Sequence, residues 1–392
     1  MKLKMKYLRH PLRTAANARN RVAQYVDIKR FGDRSESLFR GDVRFDLENV
    51  SRGLRSHTGD LSGDAELLER ICTAYNKSLQ QEQFAPEAYQ ASAWWQQVRQ
   101  ISLGPVIHAL QTCDIDALGN MYRNFFRDPC AAGLIGVPCG MSEIYFGGTI
   151  KDVYRRFFLG DALYGMDYWT LQTGGRFPLR ELTGPEIGNP FGISIDGTLI
   201  RTGAVYQHYS AQRISDCLDS GTGVVAEIGG GFGGMAYYLL RDRPGLTYLD
   251  FDLPESIALT TYYLLKAFPH LNFLLYGENE LTAENLARTD VALMPTSEIE
   301  KMPRRSVDVA FSSHAMSDIS CEAMGDYLET IARITRSHFV YIGNGHGAES
   351  ISNLATEEHH PFRLIETRPS GWQTHKYPEV DDVECLYRVG AD

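Results

Sequence analysis

Val224-Val225-Ala226-Glu227-Ile228-Gly229-Gly230-Gly231-Phe232-Gly233-Gly234 is the stretch whose reading decides the fold. Apolar residues lead into one acid, and a glycine cluster opens onto Met235-Ala236-Tyr237-Tyr238-Leu239-Leu240, which reads as a helix. A short, valine-rich apolar run is what a buried parallel strand looks like. The glycines let the backbone turn tightly and keep side chains out of the way of a ligand. The stretch therefore predicts a strand, a nucleotide-type loop and a helix. After the breaker Pro244-Gly245, residues Leu246 to Glu255 read as a second strand ending in acid. That spacing is about where nucleotide-binding folds place a carboxylate on the ribose hydroxyls.

Two templates fit the loop. Gly229, Gly231 and Gly234 satisfy the dinucleotide spacing G-x-G-x-x-G. Glu227, Gly229, Gly231 and Gly233 satisfy an acid-x-G-x-G-x-G pattern that resembles motif I of class I S-adenosylmethionine (SAM) methyltransferases. A dinucleotide needs backbone N–H groups aimed at a pyrophosphate. SAM has no phosphate but carries an ammonium, a carboxylate and a sulfonium, so Glu227 helps where it would repel a pyrophosphate. Phe251-Asp252-Leu253-Pro254 resembles the F-D-L-P signature of SAM-dependent O-methyltransferases, in which the aspartate binds the ribose. The resemblance implies Asp252 as ribose ligand, with Asp250 as the alternate. By pattern alone, Asp252 also reads as a helix N-cap before Pro254-Glu255. The implied cofactor set is Glu227, Gly229, Gly230, Gly231, Gly233 and Asp252, with Ser312 and Ser313 at the tail of a later strand.

Strands at about 223–228, 246–251, 271–276, 307–312 and 337–343 alternate with helical stretches that include 255–268 and 320–334. Such alternation predicts an α/β fold, a parallel sheet with helices on both faces. Two candidate strands, Phe362 to Thr367 and Val383 to Val389, close the chain. Five strands plus this pair resemble the Rossmann-like, seven-stranded class I methyltransferase sheet. Upstream, Leu67, Leu68, Ile71, Cys72, Tyr75 and Leu79 mark a helical face. Helical segments are also expected through Trp94, Trp95 and Val98, over Ile115 to Phe126, Lys151 to Tyr168 and Tyr206 to Leu218, with a loop from Asp128 to Gly148. The Gly- and Pro-rich run Gly184 to Gly197 suggests a boundary. The expected division is a mainly helical N-terminal domain over 1–180, covering the acceptor pocket, and a SAM-dependent methyltransferase domain over 181–392.

The chain has 392 residues, 43% hydrophobic and 22% charged, with a formal net charge of −10. This describes a soluble globular protein and argues against nonspecific nucleic-acid binding, which depends on Lys and Arg neutralising phosphates. No apolar stretch reaches membrane-spanning length, so no membrane association is expected. Seven cysteines without a C-x-x-C pair suit a reducing cytoplasm and predict neither a disulfide framework nor a metal site. Self-association into a homo-oligomer stays open.

Open parallel sheets bind ligands beyond the carboxyl ends of their strands. The fourth strand ends in Ser312-Ser313-His314-Ala315-Met316-Ser317-Asp318, and the fifth in Gly343-Asn344-Gly345-His346-Gly347. Methyl transfer to a hydroxyl needs the acceptor held in line and its proton removed. His314 is the first candidate base, with Asp318 one turn on to orient it. His346 and His208 are the alternates, and a carboxylate-bound Mg²⁺ is a further device.

The order of elements, with Gly188-Asn189-Pro190-Phe191-Gly192 ahead of the Tyr206 to Ile214 helix and Tyr327 to Ile334 behind, resembles a bacterial family of sugar O-methyltransferases. The resemblance covers roughly residues 185–345. It implies a small-molecule or glycan hydroxyl as acceptor. The chain departs from the family's Asn-, Ser- and His-rich run ending in glutamate, where Asp318 stands for that acid. Trp94, Trp95, Tyr145, Phe146, Tyr164 and Trp169 are the candidate sugar-stacking aromatics. The alternative is carboxyl methylation of a peptide or small acid, with Arg155, Arg156 or Arg201 as clamp. An NAD-dependent oxidoreductase and a SAM-binding scaffold without turnover are the further rivals.

Overall fold

The structure, a computed structural model, describes residues 11–56, 64–136, 150–219, 222–355 and 361–390, without the side chains of 11–21 and of Asp318. Helices dominate the first half: α1 (Pro11–Leu38), α2 (Leu47–Gly53), α3 (Ala65–Glu82), α4 (Ala93–Val98), α5 (Gly104–Thr112), α6 (Ile115–Tyr122) and α7 (Asp152–Gln172). Helix α3 buries Leu68, Ile71, Cys72 and Tyr75, the face that the periodicity predicts. Helix α4 begins at Ser92, whose hydroxyl accepts from the Trp95 N–H.

The Gly- and Pro-rich run opens a hairpin that the sequence did not predict, β1 (Gly192–Ile195) and β2 (Thr198–Arg201), whose second strand lies just beyond Gly197. Its turn is Asp196-Gly197, both at positive φ, which is the hairpin signal that the run contains. Glycines here serve close packing. A Cβ on Gly188 would lie 2.0 Å from the Phe125 ring, and one on Gly53 would lie 2.2 Å from the Gly192 carbonyl oxygen.

The second half alternates: α8 (Ala204–Asp216), β3 (Val224–Ile228), α9 (Gly234–Asp242), β4 (Thr247–Asp252), α10 (Pro254–Ala267), β5 (Phe273–Leu275), α11 (Ala283–Leu286), β6 (Val291–Pro295), β7 (Val307–Ser313), α12 (Cys321–Ile334), β8 (Thr335–Gly343), α13 (Gly345–Ala355), β9 (Phe362–Pro369) and β10 (Val383–Val389). Among the described residues one sheet of eight strands results, in the order β5-β6-β4-β3-β7-β8-β10-β9. Strands β3 to β8 are mutually parallel, and β10 runs antiparallel between β8 and β9.

The α/β expectation holds, with one strand more than the seven expected. The additional strand is β6, which takes the place beside β4 and leaves β5 as a three-residue edge. Val291-Ala292-Leu293-Met294 is buried throughout, so it lacks the alternation that marks a half-exposed strand.

Chain order reverses between β3 and β7, which form the switch point of a doubly wound sheet. In register, Ile228 lies beside Ser312, so the glycine loop and the Ser313-His314 tail leave the sheet side by side.

An apolar cluster on one sheet face runs without interruption from Phe39, Tyr122 and Trp169 to Val225, Tyr238 and Tyr263, joining residues on both sides of position 180. Helices α12 and α13 cover the opposite face with Leu328, Ile331 and Ile351. A buried ionic cluster adds a second tie. Arg99 donates to both Glu255 oxygens at 2.6 and 2.9 Å and to Glu82 at 2.9 Å, and Trp95 donates to Glu255 as well. Glu255 is only 2% exposed. Removing Arg99 would strand that carboxylate, so Arg99→Met is expected to cost about 3–5 kcal/mol in denaturant-unfolding stability. A loss below about 1 kcal/mol would contradict this account. Among the described residues, no helix is long and apolar enough to cross a membrane.

Candidate cofactor and acceptor site

Carboxylates at the end of β4 hold the glycine loop by its N–H groups. Gly229 donates to the Phe251 carbonyl at 3.0 Å, Gly230 to Asp250 at 3.1 Å and Gly231 to Asp252 at 3.0 Å. Gly229, Gly231 and Gly233 sit at φ 82, 64 and 85, where side chains carry a steric cost. The loop also has no room: a Cβ on Gly229 would meet the Ala315 Cβ at 2.2 Å, and one on Gly230 would meet the Asp250 carboxylate at 2.6 Å. Gly233 instead packs on α10, where a Cβ would lie 3.0 Å from Thr260, and it lines neither cavity described below.

Two cavities meet at this loop. One, of 330 Å³, lies along Asp252, Leu253 and Ser256, with Thr296, Met316 and Tyr327 around it and Trp94 and Trp95 at its wall. The other, of 640 Å³, is bounded by Glu227, Gly230, Phe232 and Arg201 on the loop side and by Phe157, Phe158, Trp372 and Tyr377 beyond. Gly133, Leu134, Gly229, Gly231, Ser313 and His314 line both. The two cavities therefore adjoin at the switch point.

Buried carboxyl groups dominate the loop. Glu227, Asp250 and Asp252 are all nearly inaccessible, and among the described residues none has a basic side chain within salt-bridge distance. Burial pushes the Glu227 carboxyl up to about 8, although the Tyr248 hydroxyl donates to it at 2.5 Å. Burial likewise raises Asp252 to about 7, against the opposing pull of the Leu253 and Gly231 N–H groups. Asp250 is raised well above its ordinary value by burial and by its two acidic neighbours.

Of the two ribose candidates, Asp252 lines a cavity and keeps lone pairs free beyond its two backbone bonds. Asp250 lines neither cavity and serves the loop. On the other wall, Arg201 is buried, lies over the rings of Phe126 and Phe232, and donates to Gln207 and the Thr202 carbonyl. Its Nε has no hydrogen-bond partner, and no carboxylate lies within salt-bridge distance among the described residues.

The SAM groups fit these residues. Glu227 suits an ammonium, Arg201 a carboxylate, and Asp252 the ribose diol. Glu227 and its two acidic neighbours would oppose the pyrophosphate of a dinucleotide.

His314 closes the junction between the cavities. It sits at φ 63 just after β7, in the left-handed region. Its Nε2 lies 3.2 Å from Asp382 and its Nδ1 3.1 Å from the Ser313 hydroxyl, which in turn lies 2.6 Å from the Tyr206 hydroxyl. The carboxylate beside His314 is thus Asp382, at the foot of the β9–β10 loop. The side chain of Asp318, the expected partner, lies outside what is described.

The other candidates part from this centre. His346 is exposed in the first turn of α13 and lines neither cavity, because Asn344 caps that helix by accepting from the Gly347 N–H at 2.7 Å. His208 is buried, accepts from the Trp169 indole at 3.1 Å, and is lowered to about 4 by burial. Ser312 is buried and donates to the Ile228 carbonyl at 3.1 Å, stitching β7 to β3, so only Ser313 reaches the cavities.

The aromatic expectation changes as well. Trp169 is core, Tyr164 stacks on His375, and Trp94 and Trp95 wall the Asp252 cavity, while Tyr145 and Phe146 lie outside the described residues. Arg156 pairs with Asp33 and Glu36, and Arg155 with Asp152. Trp372, Tyr377 and Asp382 belong to a loop whose sequence carries no motif.

No protein-family model and no curated protein matches the chain. Solved structures that it matches include the mitomycin 7-O-methyltransferase MmcR, at 17% identity over 47% of this chain and 54% of that one, with a TM-score of 0.32. The chain thus spans about half of that protein's length. A SAM-dependent methyltransferase from Aquifex aeolicus matches at 14% identity over 57% of this chain and 98% of that one, with a TM-score of 0.31. Magnesium protoporphyrin IX methyltransferase from Synechocystis PCC 6803, solved with SAM bound, matches at 11% identity over 59% and 97%, with a TM-score of 0.34.

Proposed function

We propose that this chain is a SAM-dependent methyltransferase that methylates a hydroxyl group of a small molecule, on a sugar or glycosylated metabolite. The observation that carries the reading is the trio of buried, cation-free carboxylates around a side-chain-free loop. When bound, SAM supplies the electrophilic methyl group. Asp252 holds its ribose, Glu227 its ammonium and Arg201 its carboxylate. Asp382 accepts from His314 Nε2–H, which fixes the tautomer and leaves Nδ1 free to accept. The Ser313 hydroxyl donates to Nδ1 and takes the acceptor proton in turn, with Tyr206 holding Ser313 in line. The apolar walls exclude water while this happens. A reducing, cytoplasmic setting goes with the reading, and the cysteines among the described residues are all free.

Proton linkage tests the cofactor site. Glu227 near 8 and Asp252 near 7 are partly protonated at neutral pH, whereas a cationic ligand binds their ionised forms. SAM affinity is therefore expected to rise with pH from about 6 to about 9, with proton release visible in calorimetry across buffers of different ionisation enthalpy. The sign for stability is opposite. A carboxyl raised on folding stabilises the ligand-free protein below its unfolded value near 4.5, and that contribution is lost as pH rises through about 8. Affinity independent of pH over this window would refute the charge argument.

Carboxyl methylation is the second reading, favoured by Arg201 on the larger cavity. The products separate the two: mild alkali releases methanol from a methyl ester, and a methyl ether survives. An alkali-labile product would assign Arg201 to the acceptor and remove the need for a base.

A further inference from the structure

The face of α7 that carries Phe157, Phe158, Asp161, Ala162, Gly165 and Met166 forms one wall of the larger cavity. Asp161 is the charged member of that face. It accepts from His375 Nε2 at 2.7 Å and from Lys376 Nζ at 2.9 and 3.0 Å. Both partners come from the tip of the β9–β10 loop, and both line the cavity. Burial alone would raise the Asp161 carboxyl, but Lys376 and His375 hold it below its ordinary value, so it stays ionised. The foot of the loop is held separately, through the Ser370 N–H to the Asp382 carbonyl at 2.7 Å and the β9–β10 pairing that follows. His375 is further fixed by stacking on Tyr164, with ring centroids 4.9 Å apart, and by Arg34 donating to its carbonyl at 2.6 Å. The cluster is therefore rigid and open to the cavity, and the relay at His314 does not use it.

We infer that Asp161 and Lys376 form a second recognition pole of the acceptor cavity, binding adjacent hydroxyl groups of an uncharged acceptor remote from the oxygen that is methylated. The inference rests on the methyltransferase reading and extends it to the acceptor's chemistry. A carboxylate has about four lone-pair sites and an ammonium three N–H donors, so the pair spends only part of its capacity on itself. What remains is an acceptor next to a donor, which is what two neighbouring hydroxyls require. Phe157, Phe158, Trp372 and Tyr377 supply apolar surface for the carbon skeleton. Charge selects against anions. With Glu227 and Arg201 engaged by SAM, Lys376 is neutralised by Asp161, and Asp382 adds a further negative charge beside His314.

The test is saturation-transfer NMR on the full chain with S-adenosylhomocysteine (SAH) bound. The probes are methyl α-D-mannopyranoside, methyl α-D-glucopyranoside and D-glucuronate. The neutral glycosides are expected to be saturated, and glucuronate less so. Asp161→Asn and Lys376→Met should each weaken the glycoside signal by about tenfold to a hundredfold, the worth of hydrogen bonds to charged groups. SAH affinity by calorimetry should stay near wild type and so report an intact fold. If one variant fails that control, the other decides. Equal saturation in wild type and variants, a preference for glucuronate, or SAH binding with no glycoside saturated would overturn the inference while leaving the methyltransferase reading intact. Absence of SAH binding in the wild type would overturn both.

Discussion

His314→Ala is expected to lower turnover by about 10²–10⁴-fold while leaving SAM affinity near the wild-type value. The expectation follows from position: the ring stands at the junction of the two cavities, held by Asp382 on one side and Ser313 on the other. On the proposed mechanism its loss removes the proton sink and leaves the proposed cofactor contacts in place. The rising limb of the pH–rate profile should disappear with it. Asp382→Asn should act in the same direction through the tautomer, with the acceptor KM little changed, because the amide can donate to Nε2 and then Nδ1 must carry the proton. Ser313→Ala should interrupt the relay even though the histidine remains. Full turnover in His314→Ala would mean that the reaction needs no base, as in carboxyl methylation. Loss of activity with a chelator and recovery with Mg²⁺ would transfer the task to a metal ion.

Gly231→Val is expected to abolish measurable SAM binding in calorimetry. The glycine lines both cavities, and at φ 64 valine carries about 1–2 kcal/mol of backbone strain before any contact is counted. Its Cβ would also lie 3.0 Å from the Leu134 carbonyl oxygen, leaving the branched methyls to fill ligand space. Asp252→Ala should be milder, about 1.5–3 kcal/mol, the range for hydrogen bonds to a charged group. It also releases the Gly231 N–H, so part of the loss would reflect a loosened loop. Unchanged SAM affinity in both variants would remove the cofactor assignment altogether.

Two of the strongest features of the site were legible because each is local. The strand, glycine loop and helix over 224–242 follow from hydrophobic pattern and backbone freedom, which neighbouring residues alone decide. Asp252 was legible for the same reason, since it stands at the end of a strand, two residues before a proline that starts a helix. Position β6 was harder: a strand buried on both faces has no alternation, so Val291 to Pro295 looks like any short apolar run. His346 shows the opposite failure. Its tail is polar, as expected of a strand end, yet Asn344 turns it into a capped helix that carries the histidine away.

What the sequence by itself determined is the alternating sheet, the loop that can admit a ligand, and the acid-rich chemistry at its edge. What only the tertiary structure decided is which distant side chains complete that edge. Asp382 lies 68 residues from His314 and reaches it because β10 pairs antiparallel with β8, bringing the foot of the last loop over the switch point. Asp161 and Lys376 are 215 residues apart, and Arg201 ends a hairpin that only begins in the run that reads as a boundary. Local sequence specifies dihedral preference and burial period, both of which act over a few residues. Partnerships between charges are set by where the sheet and its crossovers deliver those residues, which no window of neighbouring residues encodes.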